Sequence, residues 1–579
     1  METNEKELTG YPSIDKPWLK YYSEEAINAP LPDCSMYEYL YDCNKDYLGN
    51  TALNYFGKKI TYKKLFENID KVAAALQANG VKKGDIVSVC TLTAPETIYL
   101  LYAINKVGAV SNWLGLTSPV QDLHNQLDST DSKLVFVVEM AYDTIVEAAK
   151  DTKIEKIVSV PIEFSMPTAI KAAASLKNKH PVLNDISVRW KDFIESGTNT
   201  VFKPVVIDGN EMAVIIYTGG TTGIPKGVML SSNAANAYPA QYRKADNMFF
   251  IKREHRFLCV LPPFIAVGLF SCINIALCIG TELIVYPDPK PESISDLFVK
   301  YKPNHFCGSP LHMNAIINDE RVNGMDLSFL YSAVYGGEHA SEIWEESVSN
   351  FLKKHGSRFG IINGYGMTET GGAVAITPHY INGLYLFVKN NIKIVDPDSF
   401  EELKYNNEGE VLISTPTMMI GYYNSTEATN EIISIQEKHK WLRTGDLGYV
   451  SENGSIKITG RIKRIYWRKY IDTVVRVYPM RTEEELIKSD NVERCTVVGK
   501  KDEIVGYRSI AFIILKDKSA NTETVKSSLE KLSRDNLPES HIPDEYIFVD
   551  SFPLTRAGKV DYRALEKMAE EKGKFSMKQ

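Results

Sequence analysis

Glycine, threonine and lysine are concentrated in one short stretch of the chain, YTGGTTGIPKG, which spans residues 217–227. The glycines allow backbone N–H groups to turn toward a bound anion, the threonines offer hydroxyl donors, and the lysine adds positive charge. The residues concerned are Thr218, Gly219, Gly220, Thr221, Thr222, Gly223 and Lys226. This combination predicts a cradle for phosphate groups.

The common Walker-type phosphate loop requires Gly-Lys followed by Ser or Thr. Here Lys226 lies between Pro225 and Gly227, so the stretch belongs to a different class of phosphate-binding loop. The alternative interpretation is a glycine-rich surface hairpin without a ligand. A flexible tight turn would not need the threonines, which favours the phosphate cradle.

Two further loops rich in glycine, threonine and glutamate follow apolar runs that predict buried strands. Gly336, Gly337 and Glu338 follow SAVY, and NGYGMTET, residues 363–370, follows residues 359–362. Ligands of parallel sheets bind where the strands end at their carboxyl edge. Turn chemistry alone could explain any one loop. The three loops together predict one shared cleft.

Strands and helices alternate along the part of the chain that must position these loops, which predicts parallel-rich sheets with helices on their faces. Beyond residue 380, short strands with polar turns predict a small β subdomain. We therefore expect an α/β protein with a large N-terminal domain, residues 1–460, whose β subdomain is residues 381–460. Residues 461–579 are expected to form a smaller α/β domain, and residues 162–210 a surface excursion.

Composition excludes several classes of protein. The formal net charge of −7 over 579 residues offers no overall field for nucleic acid or an anionic membrane. The acidic start METNEKELTG is not a secretory signal, so a cytoplasmic location is expected. The 8 cysteines form no CxxC pair and are expected to be reduced. The uncharged run 257–281 is interrupted by proline and glycine, which favours a buried strand, a loop and an interior helix over a transmembrane segment.

The ordered set YTGGTTGIPKG, YGGE, YGMTE, GEVLI with GYY, RTGDL, GRIK and PLTRAGK resembles the adenylate-forming (AMP-binding) superfamily, and most closely its acyl-CoA synthetases. The likeness runs from about residue 40 to 566. It implies an enzyme that couples a carboxylic acid to ATP, releases pyrophosphate, and passes the acyl group of the acyl-adenylate to a thiol. ATP, Mg²⁺ and coenzyme A would be its cofactors and co-substrates.

By matching positions, the resemblance also implies a site for ATP. The glycine- and threonine-rich stretch with Lys226 would hold the β- and γ-phosphates, Glu369 would bind Mg²⁺, and Thr368 would hydrogen-bond to the α-phosphate. Tyr365 would stack on adenine, and Asp446 would accept hydrogen bonds from both ribose hydroxyls. The other residues implied near the nucleoside are Gly336, Gly337, Glu338, Asn363 and Arg461.

Lys559 in PLTRAGK is the main catalytic candidate. The resemblance implies that its ammonium reaches the cleft between the domains and bridges the acyl carboxylate and the α-phosphate. The C-terminal domain of the family rotates between the two half-reactions about the position matched by Lys463. This rotation would withdraw Lys559 and present another face to the thiol.

The segment after Lys463 departs from the family, since its usual acidic residue and early glycine are missing. Five positive charges lie within nine residues instead, at Arg461, Lys463, Arg464, Arg468 and Lys469. One interpretation is a solvated strand face. The other is a site for the phosphates of CoA or for an acidic carrier protein, with Arg464, Arg468 and Lys469 as the candidates.

The segment LPPFIAVG, residues 261–268, is wholly apolar, which argues against an α-amino acid as the substrate. It favours a medium- or long-chain fatty acid or another hydrophobic acid. The candidate pocket walls are Phe264, Ile265, Val267, Gly308 and Tyr335. The leading function is thus an acid–CoA ligase. The alternatives are a stand-alone enzyme that loads an acyl carrier protein and a catalytically weakened nucleotide sensor.

Overall fold

The computed structural model describes residues 8–177, 180–218, 225–245, 250–287, 291–338, 340–436, 439–471, 473–555 and 559–575. Strands and helices alternate up to the phosphate-binding stretch, as the sequence predicts. The helices in this part are α1 (Pro12–Asp15), α2 (Glu24–Asn28), α3 (Met36–Asn44), α4 (Tyr62–Ala78), α5 (Pro95–Lys106), α6 (Val120–Ser129), α7 (Tyr142–Ala148), α8 (Thr168–Lys177) and α9 (Trp190–Ser196). The strands are β1 (Thr51–Tyr55), β2 (Lys58–Thr61), β3 (Ile86–Cys90), β4 (Val110–Trp113), β5 (Leu134–Val138), β6 (Lys156–Val160), β7 (Ser187–Arg189) and β8 (Met212–Tyr217).

The alternation continues after that stretch. The next strands are β9 (Gly227–Ser231), β10 (Arg256–Cys259), β11 (Glu282–Val285), β12 (His305–Gly308), β13 (Ser332–Gly336), β14 (Ile361–Met367), β15 (Gly372–Ile376) and β16 (Tyr385–Leu386). The helices are α10 (Ser232–Lys244), α11 (Ile275–Ile279), α12 (Pro291–Tyr301), α13 (Pro310–Ile317), α14 (Glu320–Asn323) and α15 (Glu342–Lys354). A π-helix, Val267–Asn274, leads into α11. Strand β10, a loop and this interior helix account for the long uncharged run as expected.

Short strands dominate the next part, and a mixed α/β part follows. The first comprises β17 (Asn391–Val395), β18 (Gly409–Ser414), β19 (Gly421–Tyr422), α16 (Thr426–Ile432), β20 (Ile433–Gln436), β21 (His439–Val450) and β22 (Ile456–Arg461). The second comprises β23 (Tyr466–Tyr470), β24 (Thr473–Val477), α17 (Pro479–Leu486), β25 (Val492–Asp502), β26 (Gly506–Leu515), α18 (Thr522–Asn536), β27 (Glu545–Phe548) and α19 (Tyr562–Phe575).

The strands form two large sheets and three small ones in the part of the chain that the structure describes. One large sheet has the order β16-β15-β14-β13-β12-β10-β11-β1-β2, and the other has the order β19-β9-β8-β4-β3-β5-β6-β7. The pairings from β14 to β1 are parallel, as are those from β8 to β7. Strands β8 and β13 therefore bring their following segments to carboxyl edges, where the sequence predicts the cleft. The stretch 363–370, predicted as a loop, is instead mostly strand, because β14 runs to Met367 before the 3₁₀-helix Thr368–Thr370.

One hydrophobic cluster lies beneath both large sheets and includes Val89, Val214, Cys259 and Leu283. Helix α5 belongs to it and is buried on nearly every side, as expected for a helix that is apolar all round. Two other clusters, built only from residues 486–569, form the core of the smaller C-terminal domain. The boundary at residue 460 stays a prediction.

The predicted surface excursion at residues 162–210 is more regular than expected, since it contains α8, β7 and α9. Trp190 and Phe193 of α9 are buried against Phe136 of β5, so part of this segment covers the second large sheet. Among the described residues, none of the helices is long and apolar enough to cross a membrane.

Candidate active site

The two ends of the phosphate-binding stretch are held together as a hairpin. Thr218 donates its N–H to the Lys226 carbonyl oxygen at 3.0 Å, and Lys226 donates its N–H to Thr218 Oγ1 at 3.1 Å. Strands β8 and β9 continue this pairing in antiparallel register from Tyr217 and Gly227. Gly219, Gly220, Thr221, Thr222 and Gly223 lie outside the described residues. The hairpin therefore fixes where the predicted cradle begins and ends.

Glu369 and Lys226 meet the same tyrosine. Tyr422 Oη donates a hydrogen bond of 2.7 Å to Glu369 Oε1, and Lys226 Nζ lies 4.8 Å from the centroid of the Tyr422 ring. Burial and the adjacent Glu369 carboxylate raise the pKa of Tyr422, so its hydroxyl stays protonated as a donor. Thr368 and Glu369 begin a short 3₁₀-helix, Thr368–Thr370, at the end of β14.

Asp446 is 5% exposed and has partners on two elements. Arg461, its cross-strand neighbour on β22, donates from Nε to Asp446 Oδ1 at 2.6 Å, and Tyr365 on β14 donates from Oη to Asp446 Oδ2 at 2.8 Å. The Asp446 carboxylate raises the pKa of Arg461. Three residues that the sequence assigned to the nucleoside are therefore in direct contact.

Gly336 lies on β13 and Asn363 on the neighbouring β14, and Asn363 contacts the Glu345 carboxylate, which the sequence did not predict. A Cβ on Gly336 would lie 2.7 Å from the Gly364 carbonyl oxygen, so the close approach of β13 and β14 requires glycine there. Glu345 on α15 accepts hydrogen bonds from Asn363 Nδ2 at 3.0 Å and from the Tyr335 hydroxyl. Burial raises the pKa of Glu345. No motif marks Glu345 within the helical segment EIWEESVSN.

Lys559 of the C-terminal domain lies beside the loop that follows β13. A Cβ on Gly337, whose φ is +83°, would lie 3.5 Å from Lys559 Cε and 3.7 Å from Nζ. Lys559 is an exposed residue, yet desolvation by nearby protein atoms and then the charge of Arg461 lower its pKa. The carboxylates of Glu338, Glu369 and Asp446 act in the opposite direction. The lysine thus lies near enough to residues expected around ATP for their charges to act on it.

Internal partners hold two of the candidate thiol-site arginines. Arg464 forms a two-pronged ion pair with Glu483 and donates to the Val497 carbonyl oxygen at 3.1 Å. Arg468 Nη2 lies 2.7 Å from Asp544 Oδ1. Both guanidinium groups form ion pairs inside the C-terminal domain and stabilise it. Arg464 and Arg468 therefore form neither a solvated strand face nor an open site for the phosphates of CoA or for a carrier protein. Lys463, the expected hinge, and Lys469 are exposed.

The candidate acyl-pocket residues come from three neighbouring strand ends, but they do not all face one space. Phe264, Ile265 and Val267 follow β10 and pack on the cluster beneath both sheets. The side chain of Tyr335 lies in a different cluster on the other face of its sheet, since successive strand residues alternate. The expectation that the Tyr335 side chain lines the same wall is therefore wrong; Val334 contacts the first cluster instead.

Gly308 is the register partner of Tyr335 on the adjacent strand β12. A Cβ on Gly308 would lie 2.7 Å from the Phe306 ring and 3.1 Å from His312 Cβ, so the space beside this glycine is already occupied. The absence of a side chain at Gly308 is thus explained by packing, and its role in the pocket stays a prediction.

The donor set fits Mg²⁺ and a nucleotide. Glu369 offers a carboxylate with one oxygen bonded to Tyr422, the kind of hard oxygen ligand that Mg²⁺ accepts alongside phosphate oxygens. Thr368 offers a hydroxyl that can hydrogen-bond to a phosphate. Asp446, nearly buried, offers acceptor oxygens of the kind that ribose hydroxyls need. Lys226, over the Tyr422 ring, and Lys559, beside Gly337, add positive charge near these groups.

A model of the AMP-binding enzyme family matches residues 41–423, and a model of the AMP-binding enzyme C-terminal domain matches residues 481–559. The chain belongs to the AMP-binding enzyme family. The expected family and enzyme class, an acid–thiol ligase, are confirmed. ATP, Mg²⁺ and coenzyme A are the cofactors and co-substrates that CoA ligases of this family use.

This AMP-binding enzyme is 27% identical over 570 residues to a long-chain-fatty-acid–CoA ligase of Bacillus subtilis, covering 95% of this chain and 97% of the relative. It is 26% identical over 514 residues to a 4-coumarate–CoA ligase of Humulus lupulus, covering 87% and 88% of the two chains. The crystal structure of an anthranilate CoA ligase with anthranoyl-AMP superposes with a TM-score of 0.79 at 20% identity, covering 95% of this chain and 99% of the other. The predicted α/β fold is thereby confirmed.

Proposed function

We propose that this enzyme is an ATP-dependent ligase that joins a hydrophobic carboxylic acid to coenzyme A. The observation that carries the proposal is the position of Lys559 beside Gly337, where the charges of Glu369 and Asp446 act on it. These carboxylates attract the ammonium to the region that the resemblance assigns to ATP. Its place is explained if an anionic reaction centre forms there.

In the first step, a carboxylate oxygen of the acid attacks the α-phosphorus of ATP. The new bond joins that oxygen to phosphorus, the bond from phosphorus to the bridging oxygen of the β-phosphate breaks, and pyrophosphate leaves. Two anions must approach each other, so the site has to neutralise charge and hold the oxygen in line. Lys559 would bind the acyl carboxylate and the α-phosphate, and Thr368 would orient the α-phosphate. Mg²⁺, when bound through Glu369, supplies further positive charge at the phosphates.

In the second step, the thiol of coenzyme A attacks the acyl carbon, loses its proton, and displaces AMP. Lys559 has no role in this displacement. A rotation of the C-terminal domain about Lys463 would withdraw the lysine and bring exposed residues such as Lys469 toward the cleft. The hinge and the thiol contacts are proposals carried by the resemblance of these positions to the family.

The acid is proposed to be a medium- or long-chain fatty acid or another hydrophobic acid. The apolar segment that carries Phe264, Ile265 and Val267 supports this class, because an ammonium or a second carboxylate would be left without a partner there. The relatives named above act on a long-chain fatty acid and on 4-coumarate, both hydrophobic acids.

Pyrophosphate release, measured with acids of graded chain length and with aryl acids, tests the adenylation step and the acid together. Addition of coenzyme A or of an acyl carrier protein with labelled acid then identifies the acceptor. Exclusive transfer to the carrier would replace the CoA ligase by the carrier-loading alternative. Absence of pyrophosphate exchange with every acid would favour the nucleotide sensor. A cytoplasmic location remains a prediction.

A further inference from the structure

Among the described residues, the Tyr422 side chain is the one that contacts both Lys226 and Glu369. It lies on β19, the two-residue strand that extends the second large sheet beside β9. Met419 donates its N–H to the Glu369 carbonyl oxygen at 2.8 Å, and Tyr423 donates its N–H to the Gly227 carbonyl oxygen at 2.7 Å. One segment, 419–423, is therefore fastened to the main chain on both sides of the phosphate region.

Glu369 has competing cationic neighbours. Its charge acts on both Arg461 and Lys559, which lie close enough for their titration to respond. A carboxylate that is free to rotate toward either cation would be neutralised by it, and a neutralised carboxylate is a poor ligand for a divalent ion. The hydrogen bond from Tyr422 Oη fixes one oxygen of Glu369 and so restricts this rotation.

Lys226 likewise has to keep its positive charge available for phosphate. An ammonium that paired directly with Glu369 would cancel the charge needed for phosphate. A tyrosine ring attracts an ammonium over its face without neutralising it. Tyr422 thus contacts the cation through its ring and the carboxylate through its hydroxyl.

We propose that Tyr422 is a positioning residue that keeps Glu369 and Lys226 oriented and apart, so that Mg²⁺ and the phosphates of ATP bind between charges that would otherwise pair. The inference rests on the proposed function only in taking ATP with Mg²⁺ as the ligand. It does not depend on the identity of the acid or of the thiol.

The test is equilibrium binding of ATP to the full-length protein at a series of free Mg²⁺ concentrations, measured by calorimetry for wild type, Tyr422→Phe and Tyr422→Leu. Loss of the hydroxyl in Y422F should raise the Mg²⁺ concentration needed for half-maximal tight binding by about tenfold, since a hydrogen bond to a charged group is lost. Affinity for ATP without Mg²⁺ should stay within about twofold. Y422L, which also removes the ring, should in addition weaken binding of ATP without Mg²⁺ by about threefold.

Tyr423→Phe is the matched control, because Tyr423 is the next residue on the same segment and fastens it through its main chain. It should leave both quantities unchanged. A double-mutant cycle with Glu369→Gln decides whether Tyr422 acts through the carboxylate: the Mg²⁺ effect of Y422F should disappear in the E369Q background. Thermal unfolding of each variant checks that it is folded.

An unchanged Mg²⁺ dependence in folded Y422F, or an equal effect of Y422F with and without Glu369, would overturn the proposal. Failure of this proposal can be distinguished from failure of the proposed function. A protein that binds ATP with Mg²⁺ and responds to Y422F as described, yet exchanges no pyrophosphate with any acid, would support the positioning role and refute the ligase.

Discussion

Glu338, in the loop after β13, faces Arg494 on β25 of the C-terminal domain, with 3.8 Å between Oε2 and Nη2. Two further ion pairs join the same parts of the chain, Asp398 with Arg476 at 2.7 Å and Glu408 with Arg481 at 3.0 Å. The acidic partner lies before residue 461 in every pair and the arginine after it. These contacts stabilise the arrangement in which Lys559 lies beside Gly337.

Removal of the arginines of the two further pairs together, Arg476→Ala with Arg481→Ala, should change the rates of adenylation and of thioester formation in opposite directions. Each exposed pair contributes about 0–1 kcal/mol, so adenylation should slow by about threefold and thioester formation from supplied acyl-adenylate should become faster. Rapid-quench measurement of each step separates them. Arg534→Ala, which breaks a pair inside α18, should change neither rate. A parallel loss in both steps would argue against a conformational role.

Lys559→Ala should slow adenylation by several kcal/mol in activation free energy, roughly a thousandfold or more, because a charge at the reaction centre is lost. Transfer of the acyl group from supplied acyl-adenylate to coenzyme A should be nearly unaffected. Lys567→Ala, at an exposed position of α19, serves as the control. If K559A slowed both steps equally, the lysine would not be specific to the first.

We expect the basic segment 463–469 to contain two groups of residues, those held in internal ion pairs and those exposed to solvent. Arg464→Ala should lower the melting temperature, because removal of one partner leaves the Glu483 carboxylate buried without its cation. Lys469→Glu, at an exposed site, should instead raise the KM for coenzyme A and leave pyrophosphate exchange intact. Thermal unfolding and steady-state kinetics of the two variants test this division. A normal KM for coenzyme A in K469E would remove the remaining candidate of the proposed thiol site.

A histidine pair, in which His305 is buried, should make the large domain sensitive to acid. His255 Nδ1 lies 2.9 Å from His305 Nε2, and burial, with His255 and His379 nearby, lowers the pKa of His305 well below its usual value. The folded protein keeps this imidazole neutral, whereas the unfolded chain binds a proton near pH 6.5. Stability is therefore present above about pH 6.5 and falls as the pH decreases toward the lower pKa of the folded state.

Melting temperatures between pH 8 and pH 5 test this expectation. His305→Asn should lower the melting temperature at pH 8 but flatten its decline on acidification. His439→Asn, at an exposed position of β21, should keep the wild-type slope. Equal slopes for H305N and wild type would assign the acid sensitivity to other groups.

Short continuous apolar runs were sufficient to predict the strands that carry the site. Glycine and serine mark helix ends in the usual way: α4 ends at Ala78, two residues before Gly80, and Ser231 caps α10 by accepting a hydrogen bond from the Ala234 N–H. Helices α8 and α9 were missed because residues 162–210 are rich in proline, serine, lysine and asparagine, which weaken the apolar pattern. Helix α8, TAIKAAASLK, is largely exposed, so the helix propensity of its alanines favours it more than packing does.

Side-chain partners across the fold were the harder part to predict. Glu345 holds Asn363, and Tyr422 holds Glu369, from elements remote in sequence. The motif GYY includes Tyr422, but nothing in the sequence indicates either contact. The charge run from Arg461 to Lys469 suggested an exposed patch, but Glu483 and Asp544, which neutralise two of its members, come from 19 and 76 residues away. Only the three-dimensional pairing distinguishes a binding patch from a set of internal ion pairs.

The continuous apolar cluster beneath the two large sheets also limits how the protein can be divided. A cut between those sheets would leave two water-exposed hydrophobic surfaces, and neither fragment would be soluble. The last hundred or so residues carry their own interior, so they should be separable by cleavage just after β22 and able to restore adenylation when mixed back as an independent polypeptide.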